Sequence, residues 1–336
     1  MFRALERSQD MIYKKVRMIE EEISAIGVGC WGFGGDWDTS EDQKSIDIIH
    51  AAIDMGINFF DVAPVYGWGV SETLLGKALK DGKRNQVLIA SKAGLTWEKK
   101  YETQNNLSRE NLFREIDESL RRLQTDHIDI YQMHWPDPNT PLEETADALK
   151  ELKKAGKIRY VGLSNFSQAD VEKMMGFVEV NCQQSLYNLL ERNPVSYHSI
   201  PLDYRTESEV LPTVKKYGQA FLPYSPMFQG LLAGKFLDGK RFSEHDIRSA
   251  NPKLAGPQFE TYMKAGRQVK AFAEEIGRPM NEVSLNWLRQ KEEVTSIIGG
   301  ASSIQQLERN VHSLTWNLTE EMIARLNEIS APLEWL

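Results

Sequence analysis

The chain has 336 residues, of which 41% are hydrophobic and 26% are charged, and its formal net charge is −8. This ordinary composition predicts a folded globular protein with a large core and argues against disorder. The negative charge argues against nucleic acid or an anionic membrane surface as the main partner. No apolar run approaches the ~20 residues of a membrane span, and the first residues, MFRALERSQD, lack the apolar core of a secretion signal. We therefore predict a cytoplasmic protein.

Cysteine usage and the N-terminus set two further expectations. Cys30 and Cys182 lie far apart in apolar, strand-like contexts, which favours buried thiols over a disulfide. No CxxC or HExxH spacing occurs, so we predict no metal site. Residues 1–10 have the character of an N-terminal extension, and Met11 is a candidate for the true start.

Apolar, β-favouring segments recur along the chain and predict strands at 23–29, 57–62, 87–91, 128–133, 158–163, 180–184, 220–224 and 294–298. Apolar positions at helical spacing lie between them, among them Ile46, Ile49 and Ile53, then Leu112, Ile116, Leu120 and Leu123, then Leu142, Thr145, Leu149 and Leu152. Ser108, with Glu110 and Asn111, predicts the start of one helix, and Gly156 predicts the end of the next.

Strands that alternate with helices form parallel sheets, and an unbroken series of such units predicts closure into a (β/α)8 TIM barrel. We expect one domain over residues 1–336, and a doubly wound open sheet is the main alternative. The regular spacing breaks after the seventh strand, in a segment rich in Gly, Lys and Arg. We expect this segment, 228–257, to be a functional loop. Helices near 258–276 and 281–290 should follow it.

Polar side chains stand at the ends of three neighbouring predicted strands, where a barrel places its active site. Asp61 ends the second strand with Tyr66 just beyond, Lys92 ends the third, and His134 ends the fourth. Each of them alone is more often structural. Together they have a shared chemistry: Asp61 holds Lys92, the ammonium favours ionisation of the Tyr66 phenol, and His134 orients a carbonyl oxygen. Such a site passes a proton to a developing alkoxide.

The segments FFDVAPVYG, IASK and YQMHW, followed by AGKIRYVGLSNFS at 155–167, resemble the aldo-keto reductase superfamily. The similarity runs from about Met11 to near Ile329 and is greatest to the branch of bacterial aldo-keto reductases and potassium-channel β subunits. The resemblance implies a (β/α)8 barrel with Asp61, Tyr66, Lys92 and His134 as the catalytic tetrad and Tyr66 as general acid. It also implies a nicotinamide dinucleotide as hydride donor, bound without a Rossmann domain.

The glycine-rich stretch GCWGFGGD at 29–36 does not fit the GxGxxG spacing of a dinucleotide fingerprint. We interpret it as the first βα loop, and we assign Gly29, Cys30 and Trp31 to the cofactor site. The resemblance implies a carboxamide clamp beside Asp61, formed by Ser164, Asn165 and Gln184, with Tyr224 stacked on the nicotinamide ring. The clamp is polar because the amide must be held in one rotation for hydride transfer from one face.

The resemblance further implies a pyrophosphate site in YSPMFQGLLAGK, formed by Ser225, Pro226, Met227, Gly230, Leu231 and Lys235. The glycines and proline of the cofactor-binding loop indicate that it moves over the pyrophosphate; they are Gly234, Gly239, Pro252 and Gly256. The adenosine-phosphate site is expected where the last strand leads into a helix whose N-terminus receives an anion. Its residues are Gly299, Gly300, Ala301, Ser302, Gln306 and Asn310.

Ser302 stands where many family members carry Arg or Lys as the partner of the 2′-phosphate. A cation elsewhere must therefore provide any preference for NADP. Arg248 is the leading candidate, and Lys235 and Arg309 are expected to assist. Because a guanidinium favours the extra phosphate, we expect NADP(H), with NAD as the alternative.

Large aromatic residues fall on the predicted βα loops: Trp31, Phe33, Trp68, Trp97 and Trp135. Such a rim suits a small aldehyde, ketone or sugar-like polyol as substrate. Two other functions remain open. A cofactor-sensing binding subunit, as the potassium-channel β subunits partly are, would bind the cofactor with negligible turnover. A metal-dependent barrel hydrolase using Asp61 and His134 would need a second ligand histidine or carboxylate at the other strand ends, and the spacing offers none.

Overall fold

The computed structural model describes residues 11–34, 42–238, 242 and 246–333. The predicted extension at 1–10 and Gly239 of the predicted moving loop lie outside these ranges. Within them, no helix combines the length and the apolar character needed to cross a bilayer. The same residues include no group of His, Cys, Asp and Glu side chains arranged to hold a metal ion.

Parallel strands form a central 8-stranded sheet. They are β1 Ile26–Gly29, β2 Phe59–Asp61, β3 Leu88–Ala93, β4 Ile128–Met133, β5 Ile158–Ser164, β6 Cys182–Leu186, β7 Ala220–Tyr224 and β8 Ile297–Gly299. Their order in the sheet is β7-β6-β5-β4-β3-β2-β1-β8. The sheet closes because Phe221 of β7 pairs with Val294, just before β8. In addition, the Thr295 N–H donates to the Phe221 carbonyl at 2.9 Å. The predicted (β/α)8 barrel is confirmed.

Helices surround the barrel between the strands. They are α1 Asp42–Asp54, α2 Val70–Ala78, α3 Arg109–Leu123, α4 Leu142–Lys154, α5 Gln168–Met175, α6 Leu211–Tyr217, α7 Pro252–Ala255, α8 Phe259–Glu275, α9 Met280–Arg289, α10 Ile304–His312 and α11 Glu320–Ser330. Ser108 caps α3 as predicted, because its side chain accepts from the Asn111 N–H. Gly156 follows α4 with a φ of 74°, a conformation that glycine adopts without strain.

Alternate residues of each strand build two separate cores. In β2, Phe60 packs in the layer between strands and helices, whereas Phe59 packs inside the barrel with Leu88, Ile130 and Leu222. Both faces of every strand are therefore buried, which explains why the strands read as continuous apolar runs rather than alternating ones. The two cysteines are buried free thiols, as predicted.

The N-terminal end of the barrel is closed by a short hairpin, and this corrects the first predicted strand. Ile23–Ser24 pairs antiparallel with Tyr13–Lys14, and Ile23 and Ile19 pack against the interior cluster. The predicted strand 23–29 is thus split. Its first part, Ile23–Ser24, belongs to the hairpin that closes the barrel, and only Ile26–Gly29 joins the barrel sheet.

Other boundaries shift as well. β3 extends to Ala93, so Lys92 lies within the strand, and β8 begins at Ile297 because Val294 only bridges to β7. Two antiparallel hairpins follow β3 and β6 and were not predicted: Leu95–Lys99 with Glu102–Asn105, and Ser196–Tyr197 with Ile200–Pro201. The segment 228–257 contains the short helices Phe228–Ala233, Ile247–Ala250 and α7.

Candidate active site

A cavity of about 560 Å³ opens at the C-terminal ends of the barrel strands. Small-molecule sites usually measure ~300–1,000 Å³. The strand ends Gly29, Asp61, Ser164 and Tyr224 line it, as does His134 just after β4. The cavity is therefore where the strand-end analysis places the active site.

Lys92 joins two of the predicted catalytic groups at the base of this cavity. Its Nζ donates to Asp61 Oδ1 at 2.6 Å, to the Tyr66 hydroxyl oxygen at 3.1 Å and to the Val62 carbonyl at 3.2 Å. The Lys92 side chain is 0% exposed. An unpaired ammonium at such a position would be very costly, so these acceptors explain how β3 carries a lysine.

The second carboxylate oxygen of Asp61 is held by two buried glutamines. Gln184 Nε2 donates to Asp61 Oδ2 at 2.8 Å and Gln132 Nε2 donates to the same oxygen at 3.2 Å. Gln132 Oε1 in turn accepts from Gln184 Nε2 at 3.2 Å. Sequence reasoning missed Gln132, although the period of two places it on the same inward face of β4 as Ile130. By donating to the Asp61 carboxylate, Gln132 helps to hold the group that accepts from Lys92.

The Tyr66 ring is fixed by its neighbours and by the backbone beside it. The Trp31 ring stacks on it at a centroid distance of 6.0 Å and 25°, and His134 meets its edge at 6.0 Å. The next residue, Gly67, has a φ of 60°, and a Cβ there would lie 2.3 Å from the Gly34 carbonyl oxygen. Glycine is therefore required for the loops after β1 and β2 to meet at this point.

The protonation of Tyr66 and His134 follows from burial. Burial raises the pKa of the Tyr66 phenol well above its usual range, and the Asp61 carboxylate adds to the shift. The Lys92 ammonium favours the ionised phenol, but removal from water outweighs this effect and keeps the phenol protonated. Burial also lowers the pKa of His134 well below its usual range, with the Lys92 charge acting in the same direction. At neutral pH the site holds a protonated phenol beside a neutral imidazole.

Asn165 is the centre of a polar network on the other side of the base. It has a φ of 64°, and its Nδ2 donates to the His134 carbonyl and to Ser164 Oγ, each at 3.1 Å. Its Oδ1 accepts from the hydroxyls of Tyr224 and Tyr204, each at 2.9 Å. The amide orientation of Asn165 is thus fully determined by its partners.

Lys235, Arg248 and Arg309 line one end of the cavity, and we call them the cation cluster. They lie close enough together that the two arginines lower the pKa of Lys235, after the larger effect of burial. Asp246 balances part of this charge: its Oδ1 accepts from Arg248 Nε at 2.7 Å and its Oδ2 accepts from Nη2. Sequence reasoning did not foresee this carboxylate.

Arg248 is also held by the loop that carries it. Its Nη1 donates to the Gln229 carbonyl at 3.3 Å, and its guanidinium lies 5.0 Å and 4.8 Å from the ring centroids of Phe236 and Phe242. Gln229, another lining residue that was not predicted, has a side chain that accepts from Asn251 Nδ2 at 3.1 Å. The two halves of the loop after β7 are therefore tied together.

The start of α10 completes this end of the cavity. Ser303 caps the helix by accepting from the Gln306 N–H, and Gln306 Oε1 accepts from the Ser302 N–H at 2.9 Å and from its hydroxyl at 3.1 Å. Gly300, Ala301, Ser302, Gln306, Arg309 and Asn310 all line the cavity. A helix N-terminus beside the cation cluster favours an anion.

Aromatic rings form another part of the cavity lining: Trp31, Trp68, Tyr101, Trp135 and Tyr197. We call this set the aromatic end. Trp68 meets Tyr101 edge-on at 5.4 Å, and Tyr197 lies 6.5 Å from Trp135 and 5.3 Å from Tyr224. Tyr101 and Tyr197 come from the two unpredicted hairpins, which is why the predicted rim did not include them.

The sequence profile of the Aldo/keto reductase family matches residues 25–331 of the chain. The chain belongs to this family. The predicted superfamily is confirmed, and the family consists of oxidoreductases that use nicotinamide cofactors and act on small-molecule carbonyl compounds.

Other members of the family resemble the chain over nearly its whole length. The chain is 37% identical to the aldo-keto reductase YhdN of Bacillus subtilis (strain 168), covering 95% of this chain and 93% of the relative. It is 32% identical to the NADH-specific methylglyoxal reductase of Escherichia coli (strain K12), over 93% of this chain and 96% of the relative. Its fold matches that of the glycerol dehydrogenase from Gluconobacter oxydans with a TM-score of 0.83, at 33% identity and covering 96% and 95% of the two chains.

Within this aldo-keto reductase cavity, most of the predicted cofactor side chains come together, and a few do not. The loop after β7 contributes Ser225, Pro226, Met227, Gly230, Lys235 and Arg248, and Gln184 lines the base. The side chains of Cys30, Phe33 and Leu231 instead lie in the core, so we remove them from the candidate site. The Trp97 ring does not line the cavity but contacts the Trp68 ring at a centroid distance of 5.3 Å. The Cys30, Phe33 and Leu231 side chains thus pack in the core beneath the cavity and do not line it.

Proposed function

We propose that the protein is an NADP(H)-dependent oxidoreductase in which Tyr66 exchanges a proton with the oxygen of a small carbonyl or alcohol substrate. The observation that carries this proposal is the contact between Lys92 Nζ and the Tyr66 hydroxyl at 3.1 Å. Because the ammonium donates to the phenolic oxygen, the phenolic hydrogen is left for a partner in the cavity. Tyr66 is therefore a general acid for reduction and, in reverse, a general base for oxidation.

Asp61, Lys92 and His134 support Tyr66 in this proposal. Asp61 and its glutamines hold Lys92 in place, and Lys92 stabilises the negative charge that develops on the phenolic oxygen as the proton leaves. His134 lies against the Tyr66 ring and is neutral, so it does not present a charged imidazolium that would compete with Tyr66 as the proton donor to the substrate oxygen. The roles of all four residues are predictions, and substitution of Tyr66, Lys92 and Asp61 tests three of them.

The cavity residues fit a nicotinamide dinucleotide, which when bound supplies or accepts the hydride. Ser164 accepts from Asn165 and so keeps its own hydroxyl hydrogen for a carboxamide. Tyr224 lines the cavity next to this network, where its ring can stack on the nicotinamide. The cation cluster and the start of α10 would hold the pyrophosphate and adenosine phosphate.

The preference for NADP over NAD rests on the number of cations. The three cationic side chains at one end of the cavity carry more positive charge than is required to neutralise a pyrophosphate alone. A guanidinium also has the geometry to bind a terminal phosphate. One relative is NADH-specific by name, and Asp246 beside Arg248 would weaken the pull on a 2′-phosphate. NAD is therefore the alternative within the same function.

A fluorescence titration with NADPH and with NADH, followed by turnover on aldehydes, ketones and polyols, tests the proposal. We expect saturable binding of NADPH that is tighter than that of NADH, together with turnover of at least one carbonyl class. Binding without turnover on any substrate would favour the cofactor-sensing subunit instead. Equal or tighter binding of NADH would remove the NADP assignment and leave the oxidoreductase assignment intact. The cytoplasmic location stays a prediction, and cell fractionation tests it.

A further inference from the structure

Gln132 is a buried amide side chain inside the barrel. It is 0% exposed and lies on the inward face of β4, two residues after Ile130 of the interior cluster. In the sheet it is the partner of Lys92 on β3 and of Gly162 on β5. A Cβ at Gly162 would lie 2.7 Å from Gln132 Cγ. The glycine therefore leaves the space that the Gln132 side chain occupies, and a larger residue there would displace it.

Asp61, Gln132 and Gln184 form a closed set of hydrogen bonds at this point. Gln132 Nε2 donates to Asp61 Oδ2, and Gln184 Nε2 donates both to that oxygen and to Gln132 Oε1. An amide nitrogen carries two hydrogens, so both hydrogens of Gln184 Nε2 are used. Reversing either amide would place its oxygen against the Asp61 carboxylate. The orientation of both amides is therefore fixed.

The oxygen of the Gln184 amide is left for a ligand. Within the part of the chain that the structure describes, Gln184 donates two hydrogen bonds and its Oε1 accepts none. The side chain is 2% exposed and lines the cavity. A carbonyl oxygen pairs only with a donor, such as the N–H of a carboxamide. Ser164, which accepts from Asn165 and keeps its hydroxyl hydrogen, offers a donor for the carboxamide oxygen.

We propose that Gln132 is a positioning residue for cofactor recognition: it takes the second hydrogen of Gln184 Nε2 and so leaves Gln184 Oε1 to accept from the carboxamide nitrogen of the nicotinamide. This inference rests on the proposed function and assigns a further residue to it. With Asp61 as its sole acceptor, Gln184 would keep one hydrogen for the cavity and could pair with a ketone oxygen as well as with an amide. Gln132 thus makes this position selective for an amide.

A cofactor analogue that differs at the carboxamide tests this selectivity by binding alone. Dissociation constants are measured by isothermal titration calorimetry for NADP⁺ and for 3-acetylpyridine adenine dinucleotide phosphate, whose ketone has no N–H. If NAD binds more tightly than NADP, the same pair is used in the NAD series. We expect wild-type protein to bind the amide at least about fivefold more tightly, because the ketone leaves a buried Oε1 without a donor. Equal binding of amide and ketone would overturn the inference, whereas no binding of any of these dinucleotides would refute the proposed function.

Gln132→Met removes the hydrogen bonds to Asp61 and Gln184 but keeps an unbranched side chain in the space beside Gly162. The dissociation constant of NADP⁺ should rise about three- to tenfold and that of the ketone analogue should change less than about twofold. The ratio between the two ligands should therefore fall. Gln183→Met is the matched control, because this neighbouring buried glutamine donates to Gln219 Oε1 at 2.7 Å and does not line the cavity. It should keep the wild-type ratio even if it lowers stability.

Gly162→Ala tests the same inference without removing an amide. The added methyl group would lie 2.7 Å from Gln132 Cγ, so it displaces the side chain and should lower the ratio in the same direction. Circular dichroism establishes that each variant is folded. An equal loss of affinity for both ligands in Gln132→Met would mean that Gln132 supports the barrel rather than selecting the amide. An unchanged ratio in a folded Gln132→Met or Gly162→Ala protein would likewise overturn the proposal and leave the oxidoreductase function standing.

Discussion

The cation cluster and the aromatic end share one cavity but are built in opposite ways. The cation cluster is held by specific polar contacts, such as Arg248 with Asp246 and Gln229. The aromatic end consists of rings that contact one another stacked, tilted or edge-on, and its most exposed ring, Tyr101, is 78% exposed. Fixed charges suit one ligand of constant chemistry, whereas ring faces accept several shapes. The comparison thus supports our proposal of a constant cofactor at one end and a variable substrate at the other.

The supporting structure of the two ends differs in the same way. Beyond the cation cluster, Lys253 of α7 is buried and donates to Glu191 Oε1 at 2.7 Å and to the Ser196 carbonyl at 2.8 Å. This pair ties the loop after β7 to the segment after β6, and breaking a buried pair is costly. The motion of the 228–257 loop stays a prediction. We expect it in the part of the loop that precedes Lys253. The hairpin that carries Tyr101 has no buried ion pair of this kind among the described residues; it is held by ring contacts with Trp68 and by a hydrogen bond from Asn105 Nδ2 to the Pro136 carbonyl at 2.8 Å.

Tyr66 lies between the cation cluster and the aromatic end. Removing its hydroxyl should therefore slow the chemical step without weakening the binding of cofactor or substrate. Tyr66→Phe should lower kcat by about 10²–10⁴-fold, the usual contribution of a positioned proton donor. The NADPH dissociation constant, measured by fluorescence, should stay within about twofold of wild type. Tyr217→Phe, on the outer surface of α6, serves as the control. Turnover at the wild-type rate in a folded Tyr66→Phe protein would reject the proton-transfer role.

Lys92→Met should also stop turnover, with an effect of about 10²–10³-fold on kcat, since it removes the charge beside the developing phenolate. It should further lower the free energy of unfolding by about 3–5 kcal/mol, because Asp61 is left as a buried carboxylate without its ammonium. Urea denaturation measures this loss.

A second variant keeps the Lys92 prediction testable if Lys92→Met folds poorly. The double variant Asp61→Asn with Lys92→Met removes both charges and should be more stable than Lys92→Met alone. A double variant that is less stable than either single variant would show that the two charges do not depend on each other.

Much of the base of the site could be predicted from the sequence, because strand ends are set by local patterns. Asp61, Lys92 and His134 each terminate or follow an apolar run, and parallel strands bring such positions to one face. Gln132 was missed because a single polar residue inside a strand reads as an interruption until the barrel places it beside Asp61. Tyr66 was predicted as the proton donor, but the rise of its pKa was not, since it depends on burial that the sequence does not give.

The residues on the loops around the cavity were harder to predict, because the conformation of these loops depends on tertiary packing. Phe33 and Leu231 follow their strands as wall residues would, yet both are buried in the core. Tyr101 and Tyr197 lie on hairpins whose turns were not recognised as such. Asp246 is close to Arg248 in sequence, but nothing in the sequence indicates that its carboxylate would pair with the guanidinium rather than face solvent.

Arg248→Ala tests the cation cluster alone. A charged contact to a phosphate is worth roughly 1.5–3 kcal/mol, so the NADPH dissociation constant should rise about 10- to 100-fold. The NADH dissociation constant and the KM for substrate should change little. Arg325→Ala removes the same charge from α11, where Arg325 pairs with Glu275, and is the matched control. An equal loss for both cofactors would mean that Arg248 holds the loop or the pyrophosphate through its Gln229 and phenylalanine contacts.

Asp246→Asn should produce the smallest effect and the opposite sign. The carboxylate accepts two hydrogen bonds from the Arg248 side chain, so it lowers the positive potential available to a 2′-phosphate. Asparagine preserves the other role of this side chain, which is to accept from the Arg248 N–H at the start of the short helix Ile247–Ala250. We therefore expect NADPH to bind about two- to fivefold more tightly, since partly exposed ion pairs are worth about 0.2–1 kcal/mol, and NADH to be unaffected. Weaker NADPH binding would show that Asp246 orients Arg248 for the phosphate rather than competing with it. In an Arg248→Ala background the Asp246→Asn change should lose its effect, and an effect that persists there would place the origin of the change outside this pair.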